Sequence, residues 1–365
     1  MSLLQQIPYK EYAKIIEVLT LEQCEVIATL ANVEVRFTQS TAPGEVILKA
    51  LDRNGCSLQK YRQLLTTALN RRVIKTYYKP EAKVAVLIAN DKYQHLSKLI
   101  TPSIDCDSLA THFKDMGFIL VTIRNTVSKE LKDVLAQLFD LIPENSYCFV
   151  FYAGHGCELC NTKCMLGVDC PPEDIQLGHC VTENFVLREV NKCKPELSIM
   201  IMDMCRLSLN RNANPEIFTA ISDVEEYTIH KNSLVAYSTQ SAHSAYEVLQ
   251  IECSQSLDNV TYELKPGDTE KIVPQGSQYV NALCDRLADG LDVSALLDKV
   301  HEDVETSMKK QRPIKLQCGV VKRSLYDHTL GDNAELINKL QDLCKVYEEH
   351  CTLCYEEKYY ASKWS

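Results

Sequence analysis

The chain has 365 residues and a mass of 41.4 kDa, which fits two or three domains of ordinary size. Hydrophobic residues make up 45% and charged residues 24%, as in globular proteins, which excludes a disordered, collagen-like or coiled-coil chain. Because the net charge is −10 and no apolar run is long enough to cross a bilayer, we expect neither a nucleic-acid partner nor a membrane.

Cysteine is unusually frequent, with 17 residues, and an odd number excludes complete pairing within the chain. The N-terminus lacks the basic start and the apolar core of a secretory signal. We therefore expect a cytoplasmic protein with reduced thiols, most of which act as small apolar residues of the core.

Residues 1–78 are expected to form a small helical domain. Apolar residues recur at helical spacing in four segments, which are separated by polar or turn residues: 12–19, 21–33, 45–51 and 57–73. Gly55 suits the left-handed conformation that ends a helix. A purely structural role is one alternative for this domain.

From Lys83 onward, the pattern predicts alternating strands and helices. The expected strands are short apolar runs at 83–90, 118–123, 146–153, 197–202 and 233–238, and the expected helices are 102–116, 128–141, 184–191, 277–288 and 293–308. This alternation predicts an α/β sandwich with a mostly parallel central sheet flanked by helices. Residues 314–321 form a late strand, expected at a sheet edge. Residues 331–365 are expected to be a helical tail, with Leu336, Leu340, Leu343 and Val346 as its apolar face.

Two of the predicted strands are followed by nucleophilic or basic side chains. His155 follows the strand at 146–153 in the segment YAGHG, and Cys205 follows the strand at 197–202 in the segment DMCR. Functional groups gather beyond the carboxyl ends of parallel strands. We expect Cys205 to be a nucleophile, His155 its general base and acid, and the Gly156 N–H a donor to the oxyanion. The alternative is a core cysteine and a solvated histidine.

These two segments resemble the catalytic motifs of the paracaspases, which are relatives of the caspases and metacaspases. The histidine lies 50 residues before the cysteine (205 minus 155), which is the caspase spacing. The resemblance covers Lys83–Asp327, and residues 45–73 resemble the end of the family's death domain. It implies a caspase-like catalytic domain over 83–330, preceded by a death-fold-like domain over 1–78. The immunoglobulin-like domains of vertebrate members have no counterpart in this sequence.

The resemblance also implies which residue precedes the cleaved bond. Asp105, Asp203 and Glu247 match the acidic residues of the paracaspase specificity pocket. Carboxylates bind a guanidinium with paired hydrogen bonds, so we expect cleavage of protein substrates after Arg rather than after Asp. The alternative is that Asp203 caps a turn and that Asp105 and Glu247 are solvated surface groups. Asp107 is a second candidate for the position of Asp105.

Partners follow from the same resemblance. We expect a homodimer through the strand at 314–321, and ordering of a substrate loop at 253–275 when the dimer forms. Residues 1–78 would recruit the enzyme to an oligomeric death-fold or CARD-containing scaffold in NF-κB-like or innate-immunity-like signalling. The strand could instead be an ordinary edge protected by Lys315 and Lys322. Two other functions remain open: a catalytically silent death-domain adaptor, and a calcium-dependent metacaspase-like protease.

We expect no cofactor and no metal. Cys157 and Cys160, and likewise Cys351 and Cys354, have the spacing of a zinc-ligand pair. Neither group has the second matching pair of a strong zinc motif, and the chain contains no EF-hand loop for calcium.

Overall fold

The computed structural model describes residues 2–19, 21–31, 33–37, 41–70, 77–204, 209, 211–222, 230–239, 247–251, 272–307 and 311–355. The chain separates into two compact units. The first holds the described residues before residue 71, and the second holds the described residues from 77 onward. Each unit has its own apolar core.

The first unit is a helical bundle. Its described helices are α1 (Leu3–Gln6), α2 (Tyr9–Val18), α3 (Leu21–Ala31), α4 (Pro43–Arg53) and α5 (Leu58–Asn70). Ile15, Ile27 and Leu48 belong to its core and are nearly fully buried. α4 packs closely on α2, because a Cβ added at Gly44 would lie only 2.7 Å from the Ile15 carbonyl oxygen. The helices agree with the sequence pattern, whereas a death-like fold for this unit stays a prediction.

The second unit contains a central sheet. Its strands are β1 (Lys83–Ala89), β2 (Ile119–Arg124), β3 (Tyr147–Ala153), β7 (Leu197–Asp203), β8 (Ser233–Tyr237), β11 (Ile314–Cys318) and β12 (Cys351–Cys354). Within the described residues they form one seven-stranded sheet in the order β11-β8-β7-β3-β1-β2-β12. The five inner strands are parallel, and only β11 and β12 run antiparallel to their neighbours. The predicted mostly parallel sheet is therefore confirmed.

Helices cover both faces of this sheet. They are α6 (Thr101–Asp115), α7 (Ser128–Leu141), α8 (Glu183–Lys192), α10 (Gln278–Leu287), α11 (Val293–Ser307) and α12 (Ala334–Val346), whereas α9 (Pro215–Ser222) packs in a separate apolar cluster. The side chains of α7, α8 and α12 join one core, and those of α6, α10 and α11 join the other. β1 is buried on both sides, which explains why its residues from Val84 to Ala89 are all apolar. No helix among the described residues is long and apolar enough to span a membrane.

Two smaller sheets were not predicted from the sequence. β4 (Gly156–Leu159), β5 (Thr162–Leu166) and β6 (Cys180–Thr182) form one, and β9 (Glu247–Ile251) pairs with β10 (Ile272–Ser277) in the other. The turn between β4 and β5 consists of Cys160 and Asn161, both with positive φ (47° and 66°), as a tight two-residue hairpin requires. These strands are too short for a clear alternating pattern, so the sequence signal was weak.

The C-terminal tail is not helical throughout, and that part of the prediction was wrong. α12 packs its Leu336, Leu340 and Leu343 into the core, but Val346 is 74% exposed and does not belong to the apolar face. Residues 351–354 form β12, which pairs with β2. The outer edge of β2 presents backbone N–H and C=O groups that need hydrogen-bond partners. Residues 351–354 have no strong preference for helix or strand, so pairing with this edge decides their conformation.

Lys83 makes the stability of the second unit dependent on pH. Its ammonium group is 1% exposed, donates to the Met116 and Leu325 carbonyl oxygens, and has a pKa that burial lowers from 10.5 to about 7. Above pH 7 the folded state therefore binds fewer protons than the unfolded state, so stability rises with pH up to about 10.5. We expect this loss of the Lys83 proton to raise the free energy of unfolding by about 2 kcal/mol between pH 7 and pH 9. Urea unfolding should show this rise in the wild type and lose it in Lys83→Met; equal pH slopes in both proteins would contradict it.

Candidate active site

The two predicted catalytic segments follow neighbouring strands of the central sheet. β3 pairs with β7 in a register that places Ala153 opposite Asp203. His155 lies two residues beyond the end of β3, and Cys205 two residues beyond the end of β7. Since adjacent strands are about 4.8 Å apart, both segments leave the sheet at the same place.

The two segments are also in direct contact. Cys205 lies outside the described residues, but the preceding residue, Met204, is buried at 2% exposure. A Cβ added at Gly156 would lie 2.1 Å from Met204 Sδ and 3.0 Å from the Cys164 carbonyl oxygen. The glycine after His155 is therefore needed for the close approach of the chain that leads into Cys205.

This contact can be tested with paired substitutions. Gly156→Ala should destabilise the protein by about 1–3 kcal/mol and reduce its activity, because the new methyl group displaces Met204. Met204→Ala should also destabilise, by about 2–5 kcal/mol, because it leaves a cavity. In urea unfolding, the free energy of unfolding of the double variant should fall by clearly less than the sum of the two single decreases, since the smaller side chain makes room for the methyl group. Simple additivity would show that the segments do not touch.

His155 is oriented by a backbone carbonyl. Its Nε2 lies 2.7 Å from the Ser97 carbonyl oxygen and 3.4 Å from Ser97 Oγ. A carbonyl oxygen can only accept a hydrogen bond, so Nε2 carries a proton. In the neutral ring the lone pair is then on Nδ1, which can accept a proton from a neighbouring nucleophile.

The loop that presents the Ser97 carbonyl is anchored at three residues that precede Ser97. Asn125 Oδ1 accepts the N–H groups of Asp91 and Lys92 at 3.0 and 2.8 Å, and the Gln94 N–H donates to the Val168 carbonyl at 2.9 Å. Sequence reasoning missed Ser97, because the group that acts is a backbone carbonyl and the residue type carries no signal.

Asp105 and Asp203 are both buried near the start of α10. Asp105, on α6, is 1% exposed, and its Oδ1 accepts the Ser277 N–H at 2.7 Å. Gly276 has φ of +75°, and a Cβ there would lie 2.6 Å from the same oxygen. Asp203, the last residue of β7, is 7% exposed, and its charge adds to burial in raising the pKa of Tyr279. The alternative that Asp105 is a solvated surface group was therefore wrong.

The backbone of Glu247 adjoins this group. β9 pairs with β10 so that Glu247 lies opposite Ser277, whose N–H donates to Asp105. The Glu247 side chain is outside the described part of the structure, as are residues 252–271, which include most of the predicted substrate loop. Asp107 lies elsewhere: its side chain is 72% exposed and pairs with Arg124 at 2.6 Å.

The cysteines considered for zinc do not form a ligand set. Among the described residues, no group of three or more His, Cys, Asp or Glu side chains could hold a metal ion. Cys157 is buried in β4 opposite Cys164, whereas Cys160 is exposed on the turn. Cys351 is buried and Cys354 exposed, because residues three apart on a strand point to opposite faces.

The chain is similar in sequence to known proteins. The mucosa-associated lymphoid tissue lymphoma translocation protein 1 of Homo sapiens is 22% identical over 277 residues, which cover 74% of this chain and 30% of that protein. The homolog from Mus musculus gives the same identity and coverage, so the chain spans less than a third of the length of these relatives. A crystal structure of caspase-1 from Spodoptera frugiperda has a TM-score of 0.48 at 15% identity, covering 71% of this chain and 97% of that one. The family model of the caspase domain matches residues 82–324, and the chain therefore belongs to the caspase-domain family of cysteine peptidases.

Proposed function

We propose that this protein is a cysteine endopeptidase of the paracaspase type that cleaves protein substrates after arginine. The observation that carries the proposal is the meeting of two strand ends: β3 leads to His155, β7 leads to Cys205, and Met204 packs against Gly156. A histidine and a cysteine on adjoining loops are the minimum that acyl transfer through a thiol ester requires.

In the proposed reaction, Nδ1 of His155 takes the proton of the Cys205 thiol, and the thiolate attacks the substrate carbonyl carbon. The N–H groups of Gly156 and Cys205 stabilise the oxyanion of the tetrahedral intermediate. When the C–N bond breaks, the imidazolium returns its proton to the leaving amine and a thiol ester remains. Water, activated by His155, then hydrolyses the ester. The Ser97 carbonyl, 2.7 Å from Nε2, holds the ring through both proton transfers.

The preference for arginine is supported by the placement of the acidic residues. Asp105 and Asp203 are buried carboxylates near the start of α10, and the Glu247 backbone adjoins the same segment. A guanidinium can form paired, charge-assisted hydrogen bonds with such groups, whereas an aspartate side chain of a substrate would be repelled.

A cleavage profile of the purified chain on a peptide library tests the proposal. We expect cleavage after Arg, weaker cleavage after Lys, none after Asp, and no requirement for calcium. Labelling by an Arg-containing electrophilic peptide should disappear in Cys205→Ala. A folded protein that neither cleaves nor reacts would support the silent adaptor, and activity that depends on calcium would support a metacaspase-like enzyme.

We also propose that the active form is a homodimer joined through β11. This strand is an edge of the sheet, and Leu316 on it is 42% exposed. Lys315 does not protect the edge, because its ammonium group is bound within the unit by the Ser294 carbonyl and Asp298, at 3.0 and 2.6 Å. An edge strand with an exposed apolar side chain can extend the sheet into a second copy of the chain.

Dimerisation makes activity depend on protein concentration. We expect the specific activity of the wild type to rise with concentration in step with the dimer fraction from sedimentation. Leu316→Glu should stay monomeric and weakly active, since a charged side chain on an exposed edge strand opposes its pairing with another chain. A fully active monomer would contradict this proposal. We further propose that the enzyme is cytoplasmic and that its helical unit binds a death-fold or CARD-containing scaffold in signalling of the NF-κB type. Such recruitment would raise the local concentration of the enzyme and favour the same dimer.

A further inference from the structure

Two buried tyrosines hold the backbone of His155. Tyr93 and Tyr152 are 2% and 0% exposed. The His155 N–H donates to Tyr93 Oη at 2.7 Å, and the Tyr152 hydroxyl donates to the His155 carbonyl oxygen at 2.7 Å. The two phenol oxygens are 3.3 Å apart, so the backbone polar groups of His155 lie against a connected pair of phenols.

Tyr93 also contacts the imidazole itself. The two ring centroids are 4.5 Å apart, with an angle of 56° between the ring planes. Ser97 holds the Nε2 end of the imidazole at 2.7 Å. The ring is therefore restrained both by packing on its face and by the hydrogen bond at Nε2, while the phenol contacts keep its Cα in place.

The phenol pair accounts for the glycine that precedes His155. A Cβ added at Gly154 would lie 2.6 Å from Tyr152 Oη and 2.8 Å from Tyr93 Oη. Burial raises the pKa of both phenols, so both remain protonated over the pH range in which a cysteine peptidase works. Their hydrogen bonds to His155 consequently stay intact while the imidazole itself gains and loses a proton.

We propose that Tyr93 and Tyr152 are positioning residues that set the orientation of the His155 imidazole for proton transfer. The inference rests on the proposed function, in which Nδ1 of His155 must face the Cys205 thiol. A displacement of about 1 Å at a proton-transfer group can lower a rate about 100-fold, so restraint on this backbone has a direct effect on catalysis.

We expect the two tyrosines to contribute unequally to kcat. Tyr93→Phe removes the acceptor of the His155 N–H, whereas after Tyr152→Phe the His155 carbonyl keeps the Leu166 N–H at 3.0 Å. We expect Tyr93→Phe to lower kcat about 10- to 100-fold with little change in KM, and Tyr152→Phe to lower it less. Tyr147→Phe is the matched control. It removes a buried phenol hydrogen bond, to Asp327 at 2.6 Å, from the other end of β3, and should cost stability without lowering kcat.

A second measurement separates positioning from a structural role. Hydrogen exchange of the His155 Nε2–H can be followed by NMR on the full chain with ¹⁵N-labelled histidine, using His155→Gln for assignment. We expect slow exchange in the wild type and in Tyr147→Phe, and exchange at least about 10-fold faster in Tyr93→Phe, because the ring no longer stays on the Ser97 carbonyl.

The inference is overturned if Tyr93→Phe leaves either kcat or the exchange rate within about a factor of two of the wild-type value, which is far below the effect expected of a displaced proton-transfer group. A wild-type protein that cleaves no peptide would refute the proposed function instead. In that case the positioning role is tested by the exchange rate of the His155 Nε2–H alone. Faster exchange in Tyr93→Phe supports the role, and unchanged exchange overturns it.

Discussion

Cys205→Ala is expected to abolish peptide cleavage, and His155→Ala to lower kcat by about 10²- to 10⁴-fold, the usual contribution of a positioned general base and acid. The reason is that the thiol at the end of β7 is a weak nucleophile until the imidazole at the end of β3 accepts its proton. Initial rates on an Arg-ended fluorogenic peptide measure both effects. Thermal unfolding of His155→Ala should stay close to wild type, because His155 is only half-buried.

Two controls make this prediction specific. Cys160→Ala removes an exposed thiol on the turn between β4 and β5 and should leave the rate unchanged. The double variant Cys205→Ala/His155→Ala should be no worse than Cys205→Ala alone, because the two residues act in one step. Residual Cys205→Ala activity close to wild type would mean that another residue is the nucleophile.

Loss of one buried carboxylate is expected to remove most of the preference for arginine. Asp203→Asn should lower kcat/KM for an Arg-ended peptide by about 10- to 100-fold, since a hydrogen bond to a charged group contributes about 1.5–3 kcal/mol. Asp105→Asn should have a similar effect, and the amide oxygen can still accept the Ser277 N–H that Asp105 Oδ1 accepts at 2.7 Å. A lower kcat/KM in Asp105→Asn would therefore result from the lost charge and not from a disturbed start of α10.

Asp107→Asn is the matched control for this prediction. It removes a carboxylate from the same helix, two residues further on, where the side chain is 72% exposed and bound to Arg124. We expect unchanged kcat/KM for this variant on Arg-ended and Lys-ended peptides. If Asp105→Asn and Asp203→Asn both behave like Asp107→Asn, the acidic group does not bind the substrate arginine.

Much of the fold could be predicted from local sequence alone. The strand at 83–89 is apolar from Val84 to Ala89 because both of its faces are buried, and the helix at 128–141 repeats its apolar residues every three or four positions. His155 and Cys205 could be chosen as candidates for the same reason, since each follows such a strand and one of them is flanked by glycines. These signals depend only on neighbouring residues, so they are visible in a single sequence.

Other features depended on which segments meet in three dimensions. Asp105 and Asp107 are equivalent in the sequence, but residues two apart on a helix point to opposite sides, and packing of α6 on the sheet buries only the first. Residues 351–354 became a strand because the edge of β2 was available, not because of their own preference. The contacts of His155 with Ser97, Tyr93 and Tyr152 join segments far apart in the chain or act through backbone groups. The sequence by itself thus determined the elements and the candidate residues. Only the tertiary structure decided which of them adjoin, because long-range pairing and burial depend on the whole packed unit rather than on any one segment.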